Sequence, residues 1–112
     1  MKRGDVVLAL FPNSDLRTAK LRPALVVQRD HLQSGLLQVI LALVTSQMMR
    51  AGHPSRITVM LSTPEGRQSG LVTDSVVVTD DLVTVMDSAI TRVIGSLSMV
   101  DVDAALRHTL QL

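Results

Sequence analysis

The sequence predicts a mainly β protein, a small antiparallel barrel or sandwich with one helix at its C-terminal end. The chain has 112 residues, enough for one hydrophobic core and too few for two, so we expect a single domain over residues 1–112. Short runs rich in Val, Ile and Leu are separated by Pro, Gly, Asn and Ser, which is typical of buried strands. Near the C-terminus, apolar residues recur instead at helical spacing. In such folds, sequential strands usually pair with each other.

Six short stretches have the composition of strands. The first three are continuous apolar runs, as expected of buried strands. In the fourth, "RITVML", Ile57, Val59 and Leu61 alternate with the other residues, which indicates a half-exposed strand. The turn formers of "STPEGRQSG" separate it from the fifth. In chain order, the six predicted strands are 6–10, 24–27, 36–44, 56–61, 71–78 and 82–85.

A C-terminal helix is predicted after residue 98. Its apolar face is formed by Val102, Ala105, Leu106 and Leu110. Ser98 and Asp101 have the spacing of a capping box, and acidic residues near the start with basic residues near the end suit the helix dipole. The preceding segment, "DSAITRVIG", is predicted to be another short helix that ends at Gly95.

Composition and charge exclude several classes of protein. No apolar stretch approaches the length of a membrane span, and the N-terminus lacks the apolar core of an export signal. Without cysteine, the chain can form neither a disulfide nor a thiolate metal site. We therefore expect a cytoplasmic protein that does not bind membranes. The net charge is only +1, but basic residues gather in two early loops and aspartates crowd the later half, so an anion-binding site is expected early.

Four positions are expected to meet at one rim of the sheet. If the first four strands form a meander, the ends of strands one and three lie beside the starts of strands two and four. The residues at these positions are Phe11, Arg22, Thr45 and Arg56.

Arg22 stands at this rim directly before Pro23. Proline lacks an N–H and favours an extended conformation in the residue before it, so it is tolerated at the first position of a strand. Arg22 is thereby held extended. Two structural interpretations are open for it: a solvated charge that protects a hydrophobic strand from aggregation, and a surface ion pair with Asp15.

The residues predicted to surround Arg22 can donate hydrogen bonds to phosphate. The stretch "VTSQMMRAGHPSR" supplies the hydroxyls of Thr45 and Ser46, although ordinary strand termination explains these two equally well. It also supplies Arg50, His53 and Arg56. A guanidinium can bind two phosphate oxygens at once, and a hydroxyl can donate a further hydrogen bond. The pattern predicts a phosphate-binding site in which Arg22 is the clamp.

Five segments of the chain form an ordered series: "RGDVVLALFP", "KLRPALVVQRD", "ILALVTS", "SGLVTDSVVVTDDLVTV" and "VIGSL". The most specific parts are the Arg-Pro pair at residues 22–23 and the Thr-Ser pair at residues 45–46. In these segments, and over nearly its whole length, the chain resembles the PemK/MazF toxins of bacterial type II toxin–antitoxin systems.

The resemblance implies an SH3-like barrel with a C-terminal helix, usually a homodimer, that acts as a metal-independent endoribonuclease on single-stranded RNA without a cofactor. It implies that Arg22 and Thr45 are the catalytic residues. In the family's reaction, a ribose 2′-hydroxyl attacks the adjacent phosphate and leaves a 2′,3′-cyclic phosphate and a 5′-hydroxyl. Polar residues of the early loops then become candidates for RNA binding: Asp15, Arg17, Lys20, Ser46, Arg50, His53 and Arg56.

The resemblance does not identify the proton acceptor. Some relatives carry a His or Glu in the loop before the Arg-Pro pair, where this chain offers Asp15. Others carry an Arg-x-Asp motif, where this chain has Val78 in place of the arginine, followed by Asp80. Water, Asp15 and His53 all stay open as carriers of the proton. Asp80 and Asp81 are expected to be turn residues on a solvated surface.

Two features bear on what the protein recognises. Phe11 is the only aromatic residue, so stacking on aromatic side chains is not expected to be the main way of reading RNA bases. Met48 and Met49 are adjacent in a polar loop beside Arg50, and flexible thioethers suit a surface that a partner covers. We expect an acidic and apolar antitoxin segment to bind there and exclude RNA. In the alternative, one methionine simply caps the end of the barrel.

Two other functions are compatible with this fold, since a shared fold does not determine function. A gyrase poison of the CcdB type carries a tryptophan near its C-terminus, and this chain has none. A non-catalytic RNA-binding or antitoxin-binding module would keep the fold without the chemistry, and the presence of Arg22 and Thr45 weighs against it.

Overall fold

Six antiparallel strands form one curled sheet in the computed structural model of the chain, which describes residues 1–112. The strands are β1 (Asp5–Pro12), β2 (Ala19–Val26), β3 (Gln38–Thr45), β4 (Arg56–Val59), β5 (Ser75–Met86) and β6 (Ile90–Ser96). The helices are α1 (Pro64–Gln68) and α2 (Val100–Leu110), and single 3₁₀ turns occupy Met48–Arg50 and Asp87–Ala89. The strand order is β4-β5-β3-β2-β1-β6, so β4 and β6 are the edges of a half-barrel. The predicted mainly β fold with a C-terminal helix is confirmed.

Hydrophobic residues are buried on both faces of the sheet. Neighbouring residues of a strand point to opposite faces, and in β1 Val6 and Val7 belong to two different apolar clusters. The cluster around Val6 includes Val102 and Leu106, so α2 covers that face. Burial on both faces explains why β1, β2 and β3 were recognisable as continuous apolar runs.

Helix α2 follows the prediction except at its ends. Its acidic residues lie in the first turn and its basic residues in the last, as expected. Leu110 is half exposed because it borders an open hollow at the end of the helix. The capping box does not form: the N-cap position is Met99, and the hydroxyl of Ser98 accepts the N–H of Val100 at 3.4 Å. Neither helix has the length and apolar composition needed to cross a membrane.

The meander expected of the first four strands ends at β3. Strand β4 pairs with β5, and β5 lies between β4 and β3. The physical reason is burial. Val76, Val77 and Val78 of β5 are almost fully buried, so this segment takes an interior position with a partner on each side, while the short β4 takes the edge. The prediction of pairing between the third and fourth strands was therefore wrong.

Two segments near the C-terminal half also differ from expectation. Residues 82–85 continue β5 and are not a separate strand. The segment "DSAITRVIG" forms a 3₁₀ turn and β6 instead of a helix, because its β-branched residues favour a strand. Gly95 is consequently not a helix cap; it lies where the backbone of β6 approaches the backbone of Ser69.

The turn "STPEGRQSG" contains the one-turn helix α1. Pro64 takes its first position, and the hydroxyl of Thr63 accepts the N–H of Gly66 at 3.1 Å. Both are standard N-terminal helix signals, so the sequence did contain the information for this short element.

Candidate functional site

The Arg22–Pro23 pair lies inside β2, where β2 separates from β3. Strand β2 begins at Ala19, so the pair does not open the strand as predicted. The strand pairs with β1 over nearly its whole length, but its pairing with β3 begins only at Ala24, opposite Leu43. Pro23 has no N–H to donate to β3, which explains why the hydrogen-bonded ladder between β2 and β3 stops at this residue.

Arg22 and Thr45 lie across this gap from each other. Continuing the register of β2 and β3 past Ala24 and Leu43 places Arg22 opposite Thr45, the last residue of β3. The two-residue alternation of strands also puts both side chains on the same face of the sheet. We refer to the gap between the strands at these two residues as the Arg22–Thr45 opening.

Two hollows border the Arg22–Thr45 opening, and Arg22 and Thr45 line both of them. The Val72 groove, of about 310 Å³, is lined by Lys20, Leu21, Arg22, Pro23, Val44, Thr45, Ser46, Gln47, Leu71, Val72, Thr73 and Ser75. The Asp81 hollow, of about 220 Å³, is lined by Arg22, Pro23, Leu43, Val44, Thr45, Gln47, Arg50, Val78 and Asp81. A larger hollow of about 520 Å³, at the C-terminal end of α2, contains none of the predicted site residues.

Arg22 and Thr45 both have hydrogen-bond donors available at the opening. Arg22 is exposed and forms no ion pair; the two ion pairs of the structure join Arg3 to Asp103 and Arg56 to Asp80. The Thr45 hydroxyl accepts the N–H of Gln47 at 3.1 Å, which leaves its own proton available to donate. The opening therefore presents a cationic donor and a neutral donor to the same space.

Asp15 is held within the loop between β1 and β2. Its carboxylate accepts the N–H of Arg17 at 2.9 Å and the N–H and hydroxyl of Thr18. These hydrogen bonds, the one from Arg17 foremost, lower the pKa of Asp15 from its ordinary value of 3.8. The ion pair between Arg22 and Asp15 considered from the sequence does not form.

The predicted RNA-binding residues divide into those that border the opening and those that do not. Lys20 and Ser46 line the Val72 groove, and Arg50 lines the Asp81 hollow. Arg17, like Asp15, is exposed on the β1–β2 loop and lines neither hollow. Cationic side chains thus lie on both sides of Arg22.

His53 and Arg56 are not brought to the opening, because β5 lies between β4 and β3. His53 accepts the N–H of Ser55 through Nδ1 at 3.0 Å. Arg56 forms an ion pair with Asp80 at 2.9 Å, and this contact raises the pKa of Arg56 and lowers that of Asp80. The charge of Arg56 is therefore already matched within the chain. The structure holds no group of three or more His, Cys, Asp or Glu side chains that could bind a metal ion.

Met48 and Met49 lie on the 3₁₀ turn that follows β3. Met49 is 88% exposed and Met48 is 37% exposed, so neither fills the core. Arg50, at the end of the same turn, lines the Asp81 hollow. The two thioethers thus form an apolar surface next to the opening.

Asp81 is the charged residue of this region that sequence reasoning missed. The register of β3 and β5 shifts between Ala42, opposite Leu82, and Leu43, opposite Val78. The shift leaves residues 79–81 of β5 without a partner on β3, and such bulges re-aim side chains. Asp80 contacts Arg56, while Asp81 lines the hollow beside Arg22. The expectation that both aspartates are turn residues was wrong; two aspartates inside a valine-rich run were the available signal of a bulge.

Known proteins of the same fold provide an independent comparison. A family model described as "PemK-like, MazF-like toxin of type II toxin-antitoxin system" matches residues 2–111. No curated protein sequence matches the chain. Among solved structures, the chain is similar to an endoribonuclease in complex with its cognate antitoxin from a mycobacterial species, with a TM-score of 0.73 and 21% identity over 100% of this chain and 96% of that one.

Two further solved structures are similar over almost the same extent. The Mycobacterium tuberculosis toxin MazF-mt6 has a TM-score of 0.73 and 23% identity, over 96% of this chain and 97% of that chain. A MazE-MazF structure from Deinococcus radiodurans has a TM-score of 0.69 and 21% identity, over 98% of this chain and 92% of that chain. At these identities the structural similarity supports the fold.

Proposed function

Because the chain belongs to the PemK-like, MazF-like toxin family of type II toxin–antitoxin systems, we propose that it is a toxin that cleaves single-stranded RNA in the cytoplasm, as a homodimer and without a metal ion. The observation that carries this proposal is that Arg22 and Thr45 line the same two hollows, one on each side of the opening between β2 and β3. A scissile phosphate at the opening would have a nucleotide-sized space on each side.

The proposed reaction uses the substrate's own nucleophile. The ribose 2′-oxygen attacks the adjacent phosphorus, the bond from phosphorus to the 5′-oxygen breaks, and the products carry a 2′,3′-cyclic phosphate and a 5′-hydroxyl. Negative charge grows on the phosphoryl oxygens in the transition state. The Arg22 guanidinium stabilises this charge with two hydrogen bonds, and the Thr45 hydroxyl donates a third.

Water is the proton carrier that this geometry favours. The 2′-hydroxyl must lose a proton and the leaving 5′-oxygen must gain one. Asp15 lines neither hollow and its oxygens already accept three donors of its own loop, and His53 also lines neither hollow. An arginine holds its proton too firmly to act as a general acid at neutral pH. We therefore assign stabilisation of charge to Arg22 and Thr45, and proton transfer to solvent.

The path of the RNA follows the cations on both sides of Arg22. Lys20 and the Ser46 hydroxyl at the Val72 groove supply contacts for a neighbouring phosphate, and Arg50 contacts the nucleotide that enters the Asp81 hollow. Arg17 on the β1–β2 loop extends this basic surface.

Cleavage in the presence of excess EDTA is the test of the proposed function. We expect the purified protein to cut single-stranded RNA under these conditions and to leave 2′,3′-cyclic phosphate ends, detectable by mass spectrometry of the fragments. Loss of activity on adding EDTA, with recovery on adding a divalent cation, would contradict the proposed mechanism. Absence of any cleavage would contradict the proposed function.

We further propose that the antitoxin binds Met48 and Met49. The two methionines are exposed next to Arg50, which lines the Asp81 hollow. An acidic and apolar segment could lay apolar side chains on the thioethers and direct carboxylates to Arg50 and Arg22. It would then occupy the space that RNA needs.

Competition binding tests this surface. In a Met48→Ser/Met49→Ser variant, we expect an acidic tail peptide of the antitoxin encoded beside the toxin to bind at least about tenfold more weakly, since two buried thioether contacts are lost. Met86→Ser is the matched control, because Met86 is 66% exposed at the far end of β5. If the peptide and a non-cleavable RNA both bind the double variant with wild-type affinity, the turn is not the shared surface.

A further inference from the structure

The bulge of β5 places an unpartnered carboxylate next to the proposed scissile phosphate. Residues 79–81 have no partner on β3, and Asp81 lines the same hollow as Arg22 and Thr45. The carboxylate of Asp81 forms no ion pair and accepts no hydrogen bond within the chain. This distinguishes it from Asp80, whose carboxylate binds Arg56.

The polar groups of the Asp81 hollow form a mixed set of donors and acceptors. Asp81 can only accept hydrogen bonds, Arg50 can only donate them, and Gln47 can do both. None of the three side chains is engaged in an ion pair. A site that bound only phosphate would gain from donors alone, and a carboxylate would repel its charge. The carboxylate therefore indicates a ligand that presents N–H donors.

Three hydrophobic side chains line part of the hollow: Leu43, Val44 and Val78. Leu43 and Val78 lie opposite each other on β3 and β5, and the pyrrolidine ring of Pro23 also lines the hollow. A planar ring can pack on these aliphatic groups without an aromatic platform, which the chain does not offer here. Aliphatic side chains beside a mixed set of donors and acceptors match a nucleobase.

We propose that the Asp81 hollow is a recognition pocket for a guanine base next to the cleaved bond, read by Asp81 and Arg50; this rests on the proposed function of RNA cleavage. Guanine presents two adjacent donors, N1–H and the N2 amino group, that one carboxylate can accept together. It also presents the acceptors O6 and N7, which match an arginine. Adenine, cytosine and uracil lack the paired donors. Arg22 remains on the phosphate while Arg50 contacts the base.

Binding of non-cleavable oligonucleotides tests the pocket without relying on catalysis. The probes are 2′-O-methyl oligouridines with one central guanosine, inosine or adenosine, titrated by fluorescence anisotropy. We expect wild-type protein to prefer guanosine over adenosine by about 5- to 150-fold, the range of one good bidentate contact. Inosine, which lacks the N2 amino group, should bind with intermediate affinity.

The Asp81→Asn variant should lose most of this preference, and Asp80→Asn should keep it. Asp81 has no partner in the chain, so its substitution is expected to leave the melting curve unchanged. Equal binding of guanosine and adenosine probes by the wild type would overturn the pocket, as would an unchanged preference in Asp81→Asn. If Asp81→Asn instead slows cleavage of a guanine-free RNA with the binding preference intact, Asp81 is a proton acceptor and the proposal is wrong.

These outcomes separate the pocket from the proposed function. If the protein prefers guanosine in binding but cuts no RNA, the cleavage proposal is wrong and the pocket proposal stands. If the protein cuts RNA in EDTA without any base preference at the cut, the cleavage proposal stands and the pocket proposal is wrong.

Discussion

Replacing Arg22 by alanine should abolish RNA cleavage and leave the fold intact. The side chain is exposed and has no ion-pair partner in the chain, so its loss breaks no ion pair and leaves no buried charge unpaired. Its proposed partner is the charge that develops on the phosphate in the transition state. Removing one such donor typically lowers kcat by roughly 100- to 1,000-fold, and a guanidinium supplies two hydrogen bonds together with its charge. We expect a loss of at least this size in single-turnover cleavage.

Two further variants make this result specific. Arg92→Ala is the matched control, because Arg92 is also an exposed strand arginine without an ion pair, on β6. Arg22→Lys keeps the charge but not the planar pair of donors, so it should recover only part of the activity. The melting curve and the light-scattering mass, expected at twice 12.1 kDa for a homodimer, should be unchanged in all three. A large fall in the melting temperature of Arg22→Ala would instead favour a structural role for the arginine.

Replacing Gly70 by alanine should strongly destabilise the protein. Gly70 has φ = +72°, and a Cβ at this position would overlap the carbonyl oxygen of Ile94 in β6. A Cβ at the neighbouring strand residue, Gly95, would likewise overlap the backbone of Ser69, so the two segments approach each other directly. Because Ile94 and Gly95 belong to β6, the overlap can be relieved only by displacing the sheet or the segment 69–70. Overpacking and left-handed strain together should lower the free energy of unfolding by about 3 kcal/mol or more.

The Gly52→Ala variant is the control that measures the cost of backbone strain at positive φ without steric overlap of the new Cβ. Gly52 also has a positive φ, +88°, but nothing lies within 4 Å of the position its Cβ would take. Its substitution should cost about 1 kcal/mol through backbone strain alone. Urea denaturation of both variants measures the difference. Equal midpoints for Gly70→Ala and Gly52→Ala would show that the close approach of residue 70 to β6 does not contribute to stability.

The sequence by itself determined the local features of this protein. Continuous apolar runs predicted β1, β2 and β3, and an apolar face with acidic residues before basic ones predicted α2. The Arg-Pro pair and the Thr-Ser pair were recognisable as candidates for phosphate chemistry before their positions were known. These features depend on residues close together in the chain, where spacing, propensity and the geometry of proline are sufficient.

Tertiary structure decided which of these residues meet. Strand pairing and register depend on contacts between distant parts of the chain, and they are selected by the total burial of the sheet. The sequence therefore did not reveal that β5 lies between β3 and β4, which keeps Arg56 away from the Arg22–Thr45 opening. Nor did it reveal the bulge that separates two adjacent aspartates, so that Asp80 binds Arg56 and Asp81 lines the hollow beside Arg22. A shift of register changes where a side chain points without changing any local pattern, and for that reason only the folded chain shows it.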